Sequence, residues 1–405
     1  MNNSKFRPVI TSAIGVLSML FFYTCTEPPE DDRIILIEDL TKLSARVDYT
    51  EEAVVIDTSI QDSNLLGKPT IKPISLSLIA EVDPPVVNGQ VLQATDVHIL
   101  SAARVYVSYN MAGEEYLGAV DLFDVTDKDA PELVASLHFT DSDINGMARY
   151  NDELYLAIAT NRDGFDSPAA VEVLDVGQKD LSITSETFDI PSFSATSVIV
   201  SDKQAFITSG ADDGAVTVID LQNKSEVFSY PVEDARWVDT DKQEIAVLAG
   251  TPARVLTFDY EEGTLIDEFN LSGATIPFSK STIKVHKKKA VAAVGDGGTQ
   301  IICLETGATI ETIEPPIVDG LSPLVTVTNA AETDGKLIYI SNGEAGVYVA
   351  YSADNFDSNS CNIEDLQMVG SFRFGDLESV NHIGLHGNWL YVAGGSGGLK
   401  ILEIR

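Results

Sequence analysis

HGNWLYVAGGSGGLKILEIR, from His386 to Arg405, contains two short runs of β-forming residues on either side of a glycine-rich segment. Such a pattern predicts a strand, a tight turn and a second strand. The pattern recurs as KQAFITSGADDGAVTVIDL from Lys203, KAVAAVGDGGTQIICLE from Lys289 and KLIYISNGEAGVYVAY from Lys336. A unit that recurs in this way indicates a repeat architecture.

Seven copies of the unit can be aligned on the second strand of each copy. The aligned positions are Tyr106, Tyr155, Phe206, Ala246, Val291, Tyr339 and Tyr391. Each copy has room for four short strands, and four strands in roughly 40 to 50 residues is the period of a propeller blade. The sequence therefore predicts an all-β, seven-bladed β-propeller. Six or eight blades are alternatives, because the fourth copy is short and residues 34–64 could supply further strands.

The two ends of the repeat array complement each other. The seventh copy stops at Arg405 after its third strand, whereas the segment Ile74–Val82 alternates like a fourth strand but has no partners before it. A strand donated from the start of the array would close the ring and remove an open sheet edge. We therefore predict a propeller over residues 74–405 with 3+1 closure. Residues 34–73 are expected to form an N-terminal extension packed on it.

The first 24 residues have the organisation of a signal peptide. Lys5 and Arg7 precede the apolar run Val9–Tyr23, which is too short for a membrane span, and Cys25 follows closely. This arrangement resembles a bacterial lipoprotein signal. The resemblance implies cleavage before Cys25 and attachment of diacylglycerol and palmitate there, in an outer-membrane lipoprotein. A secreted protein whose signal peptide happens to contain Cys25 is the alternative.

Residues 25–33 read CTEPPEDDR, an acidic, proline-containing segment that predicts a tether. An acidic stretch after a lipidated cysteine is similar to the export tag of surface lipoproteins in some Gram-negative bacteria, which implies a protein that faces the cell exterior. Of the other two cysteines, Cys303 lies in an apolar strand and Cys361 in a polar loop. We therefore expect no disulfide framework.

The composition excludes one class of partner. The chain has 62 acidic and 26 basic residues, which gives a formal net charge of -36 at pH 7. A field of this sign repels the phosphate backbone of DNA and RNA and also anionic lipid headgroups. We therefore expect no nucleic-acid partner, and membrane contact only through the lipid anchor.

The third strands of the copies share a short motif, seen in VDLFDV, VEVLDV, VTVIDL and LKILEI. Together with PELV after Ala130, these strands resemble the LVIVD-repeat family of β-propellers, from about Thr95 to the C-terminus. The resemblance implies the propeller fold and an extracytoplasmic setting, and it implies little about activity. An acid ends six of these strands, where we expect it to accept a backbone N–H in the following turn. The six are Asp124, Asp175, Asp220, Asp259, Glu305 and Glu403.

Polar residues interrupt the apolar pattern where the innermost strands begin. They are Asp96, Asn145, Thr196, Arg236, Ser281 and Asn381, with residues 326–329 in the sixth copy. Innermost strands line the central channel of a propeller, so these residues predict a ligand-binding channel mouth. Hydration of a purely structural channel is the alternative. Arg236 would either bind a ligand carboxylate or pair with Asp96.

The loops that lead into several inner strands are acidic. Carboxylates at one rim are candidate Ca²⁺ ligands, and solvated loop charges are the alternative. The candidates are Asp141, Asp143, Asp376 and Glu378. No other cofactor is expected. His98, His382 and His386 lie in or near inner strands. Strand alternation places His98 with Asp96, and it places His382 with His386 on a face of another strand, so a histidine metal site is not favoured.

Two further segments are predicted to be surface structure without a binding role. The insertion Ser352–Asp365 alternates Asn and Asp as a Ca²⁺ loop does, but Ser360 stands where an EF-hand needs glycine, so we expect a surface loop. The basic run Lys287–Lys289 is predicted to be a solvated turn.

No P-loop or H-E-x-x-H motif is present, and the serines of the glycine-rich turns are explained by hairpin geometry. We predict a non-catalytic monomeric propeller that binds a protein or glycan at the cell surface through its loop rim or channel mouth. The alternative is a divalent-ion-assisted extracellular hydrolase or lyase with carboxylates in the channel.

Overall fold

The computed structural model of the chain describes residues 33–60, 74–177, 181–277 and 279–405. The predicted signal peptide, the lipidation site Cys25 and all of the predicted tether except Arg33 lie outside these residues. Within the described ranges, no helix has the length and apolar character needed to cross a membrane.

Short elements precede the first blade. They are β1 (Ile34–Ile37), α1 (Leu40–Ser44), β2 (Val47–Val54), β3 (Leu76–Val82), β4 (Val86–Val87) and β5 (Gln90–Val91). The helix begins after Asp39, whose carboxylate accepts the backbone N–H of Thr41. Strands β4 and β5 pair only with each other, as a small hairpin.

Seven antiparallel sheets follow in chain order. Blade 1 contains β6 (Gln93–Ser101), β7 (Arg104–Asn110), β8 (Gly118–Asp124) and β9 (Glu132–Phe139), and blade 2 contains β10 (Ser142–Tyr150), β11 (Glu153–Thr160), β12 (Ala169–Val176) and β13 (Leu181–Asp189). Blade 3 contains β14 (Ala195–Ser201), β15 (Gln204–Ser209), β16 (Ala215–Asp220) and β17 (Ser225–Pro231), and blade 4 contains β18 (Ala235–Thr240), β19 (Glu244–Ala249), β20 (Arg254–Asp259) and β21 (Leu265–Asn270). Blade 5 contains β22 (Ile283–His286), β23 (Lys289–Ala293), β24 (Thr299–Cys303) and β25 (Thr309–Ile313), and blade 6 contains β26 (Ala330–Asp334), β27 (Leu337–Ser341), β28 (Val347–Tyr351) and β29 (Gln367–Phe372). Blade 7 contains β30 (His382–His386), β31 (Trp389–Ala393) and β32 (Leu399–Ile404).

The seven sheets confirm the predicted seven-bladed β-propeller. The aligned second-strand residues occupy the same place in every blade, since all seven are at most 1% exposed. Packing of these side chains between neighbouring sheets explains why the repeat carries an apolar or aromatic residue there.

The predicted 3+1 closure is also confirmed. Strand β3 pairs antiparallel with β32, with Leu76 opposite Ile404 and Val82 opposite Leu399. The turn before β32 needs glycine, because Gly398 has a φ of +70° and a Cβ there would lie 1.9 Å from the carbonyl oxygen of Val82. The glycine-rich turn therefore serves both the hairpin and the ring closure.

The N-terminal extension covers the outer edges of two blades. Strand β1 pairs with β9 of blade 1, and β2 pairs with β3 of blade 7, so each of these sheets has five strands. Both strands add to an existing blade, so the extension forms no further blade. Covering an edge strand blocks unwanted pairing with other chains.

Arg33, directly before the extension, and Arg46 within it also supply cations to two buried carboxylates. Asp121 and Glu172 lie at equivalent places in the third strands of blades 1 and 2, and both are fully buried. Arg46 Nη2 lies 2.5 Å from Asp121 Oδ2, and Arg33 Nη2 lies 2.8 Å from Glu172 Oε1. A buried charge that loses its partner is strongly destabilising. The extension is therefore part of the folded unit.

The expectation of no disulfide is wrong. Cys303 and Cys361 are bonded, with their Cα atoms 5.2 Å apart. Cys303 ends β24 of blade 5, whereas Cys361 belongs to the blade 6 insertion Ser352–Asp365. The insertion folds back against blade 5, which brings together two cysteines that are 58 residues apart in sequence.

The prediction of a solvated basic turn is wrong for Lys289. Its side chain is fully buried, and its Nζ donates to the carbonyl oxygens of Ser358, at 2.7 Å, and Ser360. Both acceptors belong to the blade 6 insertion. Lys289 and the disulfide thus hold the same loop against blade 5.

The predicted turn-capping role of the strand-ending acids is confirmed at three positions. Asp124, Asp220 and Asp259 each accept a backbone N–H from two residues further on, at 2.9 Å. Glu305 and Glu403 instead pair with Lys288 and Arg405, because the longer side chain reaches past the turn to a neighbouring cation.

Candidate functional site

The central channel contains two chambers. The upper chamber, of about 840 Å³, opens between the loops that connect each outer strand to the next inner strand. The lower chamber, of about 290 Å³, lies further along the inner strands towards the opposite face. Four side chains form a barrier between the chambers: Lys280, Asp96, Trp237 and His382.

Lys280 is the centre of this barrier. It precedes blade 5 and reaches across the channel, where its Nζ donates to the carbonyl oxygens of Thr95 and, at 3.2 Å, Asn145. The same Nζ lies 3.9 Å from Asp96 Oδ1 and 4.7 Å from the centre of the Trp237 ring. One ammonium group therefore connects blades 1, 2, 4 and 5.

The charges of the barrier depend on one another. Burial lowers the pKa of Lys280 to about 8, although the charge of Asp96 opposes the shift. Burial also lowers the pKa of His382 to about 4, so its imidazole, 3.0 Å from Asp96 Oδ1, is neutral at pH 7. Burial disfavours the ionised form of Asp96, but neighbouring positive charge and the N–H of Met147 still hold its pKa below the ordinary value. Because His382 is neutral, Lys280 supplies that positive charge at neutral pH.

The predicted mouth residues lie in different places. Asn145, Thr196, Arg236 and Asn381 line the upper chamber, Asp96 lines the lower one, and Ser281 is buried outside both. Ser281 does not begin an inner strand, because β22 starts two residues later. Its hydroxyl lies 3.2 Å from Arg236 Nη1.

Most of these polar groups join neighbouring blades. A hydrogen bond from a residue near the channel reaches the backbone of the next blade, or of the loop before it, all around the ring. The bonds run from Thr95 to Ile144, Asn145 to Ala195, Thr196 to Ala235, Arg236 to Ala274, Thr282 to Asn329, Asn329 to Val380 and Asn381 to Ala94. The polar pattern in the sequence thus has a structural cause, and ligand binding by the same residues stays a prediction.

Arg236 does not pair with Asp96, so that expectation is wrong. Its Nε and Nη2 donate to the two carboxylate oxygens of Asp234, at 3.1 and 2.9 Å. The remaining contacts go to Ser281 and to backbone carbonyls of the loop before blade 5. The Arg236 side chain, which is 4% exposed, therefore fixes the loop that carries Lys280.

The rim of the upper chamber combines apolar and acidic side chains. Phe193 and Leu324 are 53% and 67% exposed, although both line the chamber. Asp212, Glu233 and Glu344 also line it. The chamber therefore has a polar floor and an apolar, acidic rim.

The four predicted Ca²⁺ ligands are not brought together. Asp141 and Asp143 precede or begin blade 2, and Asp376 and Glu378 precede blade 7, with blade 1 between the two pairs. Asp143 Oδ1 accepts the N–H groups of Met111 and Leu117, at 3.2 and 3.1 Å. The Ca²⁺ prediction stays a prediction.

One group of three potential ligand side chains is close enough to hold an ion, within the part of the chain that the structure describes. It consists of Cys303, Glu305 and Cys361, with ligand atoms within 4.8 Å of one another. Its two sulfur atoms form the disulfide, so they are not free thiolates.

The lower chamber gathers six ionisable side chains. They are Asp96, His98, Asp239, Lys284, Glu332 and His382. Burial lowers the pKa of His98 to about 4, so this ring too is neutral at pH 7. His386, which sequence alternation placed with His382, is exposed and outside the chamber.

Sequence reasoning missed three of the side chains that shape these chambers. Lys280, Phe193 and Leu324 all lie in loops that lead into inner strands. Their positions depend on loop conformation, and the strand pattern carries no signal for that. A lone lysine directly before a polar inner-strand start was the one available cue.

Comparison with solved structures finds other propellers. The RRP9 WD40 repeats share 12% identity with this chain at a TM-score of 0.58, over 80% of this chain and 98% of that one. U3-55K shares 12% identity at a TM-score of 0.57, over 79% of this chain and 98% of that one. The WD40 β-propeller domain of Doa1 shares 13% identity at a TM-score of 0.52, over 79% of this chain and 96% of that one. At these identities the similarity shows the fold alone. No protein-family model and no curated protein matches the chain.

Proposed function

We propose that this propeller is a lipid-anchored, outward-facing surface protein that binds a protein or glycan partner through its upper chamber. One observation carries the proposal: a concave chamber of about 840 Å³ has the exposed side chains of Phe193 and Leu324 on its rim. Large apolar side chains are costly to expose to water, and clustering around a pocket is typical of a binding surface.

The floor of the upper chamber favours binding over passage. Lys280 spans the channel beneath it, so a partner would enter from the upper face and stop at the barrier. Phe193 offers a flat face to a sugar ring or an apolar anchor of a protein, while Glu233 and Glu344 offer acceptors for hydroxyl or ammonium groups.

The disulfide supports export from the cytoplasm. Bonds such as Cys303–Cys361 form and persist in oxidising compartments and are rare in the reducing cytosol. The signal-like N-terminus and the LVIVD-like strands agree with export. Incorporation of labelled palmitate tests the anchor: wild type should be labelled, and a Cys25→Ser variant that stays membrane-bound would contradict anchoring through Cys25.

Binding by the upper chamber can be tested with two matched variants of the full chain. Phe193→Ala and Val227→Ala each remove a half-exposed apolar side chain, but Val227 lies on the outer strand of blade 3. Binding of the labelled protein to intact cells and to a glycan array should weaken at least tenfold for Phe193→Ala only. Equal binding by both variants would contradict the proposal.

The enzyme alternative has its own observation. The lower chamber collects carboxylates and imidazoles in one cavity, an arrangement in which acid–base chemistry is feasible. With a volume of about 290 Å³, it would admit the end of a polymer rather than a chain passing through it. Hydrolysis of a polysaccharide that disappears in an Asp239→Asn variant would favour this function, and unchanged hydrolysis would exclude the chamber.

A further inference from the structure

The lower chamber has an excess of negative charge. Asp96, Asp239 and Glu332 line it, while Lys284 is its lining cation and Lys280 approaches Asp96 from above. His98 and His382 are neutral at pH 7 because their pKa values are about 4. Three carboxylates against two ammonium groups leave a net charge of -1. A monovalent cation is therefore the complementary ligand.

Two carboxylates keep free acceptor capacity. Asp239 Oδ2 accepts the N–H of Val285 at 2.8 Å, which leaves its other oxygen for a ligand. Glu332 Oε1 accepts the N–H of Thr333 at 3.4 Å, and its Oε2 lies 3.7 Å from Lys284 Nζ, so each oxygen has one partner and keeps a second lone pair for a ligand. Across the described residues, no hydrogen bond involves the ring nitrogens of His98, so its neutral imidazole offers a further acceptor.

The remaining walls are apolar. Met147, Ile199 and Leu385 line the same chamber, and Ile199 and Leu385 are only half-buried. An inorganic cation gains nothing from such walls, whereas an organic cation would bury its hydrocarbon part against them. The volume of about 290 Å³ lies at the lower end of the range for small-molecule pockets.

We propose that the lower chamber binds a small primary ammonium ion with an apolar body, in a site separate from the upper chamber. The ammonium group binds to the carboxylates of Asp239 and Glu332, and His98 lines the same chamber. The alkyl part packs against Met147, Ile199 and Leu385. The barrier of Lys280, Asp96, Trp237 and His382 separates this ligand from any partner above.

The test measures binding of n-butylamine to the full chain by isothermal titration calorimetry at pH 7 and about 0.15 M salt, where long-range attraction is screened. n-Butanol, which has the same shape and no charge, is the matched ligand. We expect saturable binding of the amine at one site, with at least tenfold weaker binding of the alcohol. Equal binding of the two ligands, or no binding of the amine, would overturn the proposal.

Variants locate the site. Asp239→Asn and Glu332→Gln should each weaken amine binding at least tenfold, whereas Glu344→Gln in the upper chamber should leave it unchanged. Ile199→Phe fills the chamber without altering a charge, so it tests the site even if the carboxylate variants unfold. Amine binding that persists in Ile199→Phe would show non-specific attraction to the acidic surface and overturn the assignment. The assay uses no cell-surface partner, so its outcome does not depend on the upper-chamber proposal.

Discussion

Lys280 Nζ lies 3.9 Å from Asp96 Oδ1, although one residue precedes blade 5 and the other belongs to the inner strand of blade 1. These two blades are not neighbours in the ring, so the contact crosses the channel. It divides the channel into two chambers and places one ammonium group between them. Together with the bonds of Lys280 to Thr95 and Asn145, this contact separates the upper and lower sites.

Removing the ammonium group of Lys280 should destabilise the propeller. In Lys280→Met the Asp96 carboxylate loses its cation while staying buried, so we expect a loss of about 3 kcal/mol in the free energy of unfolding. Urea denaturation measures it. Lys242→Met is the matched control, because Lys242 and Asp202 form an exposed pair that should contribute at most about 1 kcal/mol. Equal effects of the two substitutions would contradict the barrier.

The pairing of Arg46 with Asp121 predicts that the N-terminal extension is needed for stability. Arg46→Met should cost about 3 to 5 kcal/mol, because Asp121 would be left as a buried, unpaired carboxylate. Adding Asp121→Asn removes that charge and should restore part of the loss. The wild type, the two single variants and the double variant form a double-mutant cycle. Strictly additive effects on the free energy of unfolding would mean that the two residues do not interact.

Replacing Asp143 by asparagine should stabilise the protein, and by more at high pH than at low pH. Burial raises its pKa from 3.8 to about 7, against the effect of two backbone N–H groups. The folded state therefore binds this proton more tightly than the unfolded state, and stability is lost as the pH rises towards 7. Asp143→Asn keeps an acceptor oxygen and avoids the charge. Its stabilisation should be about 2 to 3 kcal/mol larger at pH 8 than at pH 5.

Thermal unfolding at the two pH values measures this effect. Asp376→Asn, at an exposed loop position, is the control and should show no such difference. A stabilisation by Asp143→Asn that is the same at pH 5 and pH 8 would show that the carboxylate is not held protonated.

The Cys303–Cys361 bond makes a prediction about both stability and location. Cys361→Ser should lower the free energy of unfolding by about 2 to 4 kcal/mol, since a bond between distant residues restricts the unfolded chain. Protein from the producing cells is alkylated before reduction and analysed by mass spectrometry. Both cysteines should escape alkylation because they are joined in a disulfide. Free thiols at these positions would argue against an exported protein.

The sequence predicted the ring and its closure because both rest on short-range patterns. Gly398 and its equivalents Gly214, Gly298 and Gly346 mark the turn in four blades, and buried residues such as Tyr106 fall at one place in every blade. The lone strand from Ile74 had no other sheet to join. Local pattern and global fold agree here, which is why alignment of the copies was enough.

The site was less predictable because it depends on side chains that contact groups on other blades of the ring. Polar strand starts such as Asn145 were found, yet their role in joining blades becomes visible only once the neighbouring backbone is in place. Lys280 crosses the channel from a loop, and Cys361 meets Cys303 through an insertion that folds back. Neither contact leaves a periodic signal in the sequence.

Site-specific photo-crosslinking on intact producing cells shows whether a partner binds at the upper chamber. A benzophenone side chain replaces Leu324 at the rim of the upper chamber or, as the matched control, Ile266 on the outer strand of blade 4, and both native side chains are exposed. We expect a covalent protein or glycan adduct from position 324 and none from position 266. Adducts from position 266 alone, or from neither position, would contradict binding through the upper chamber.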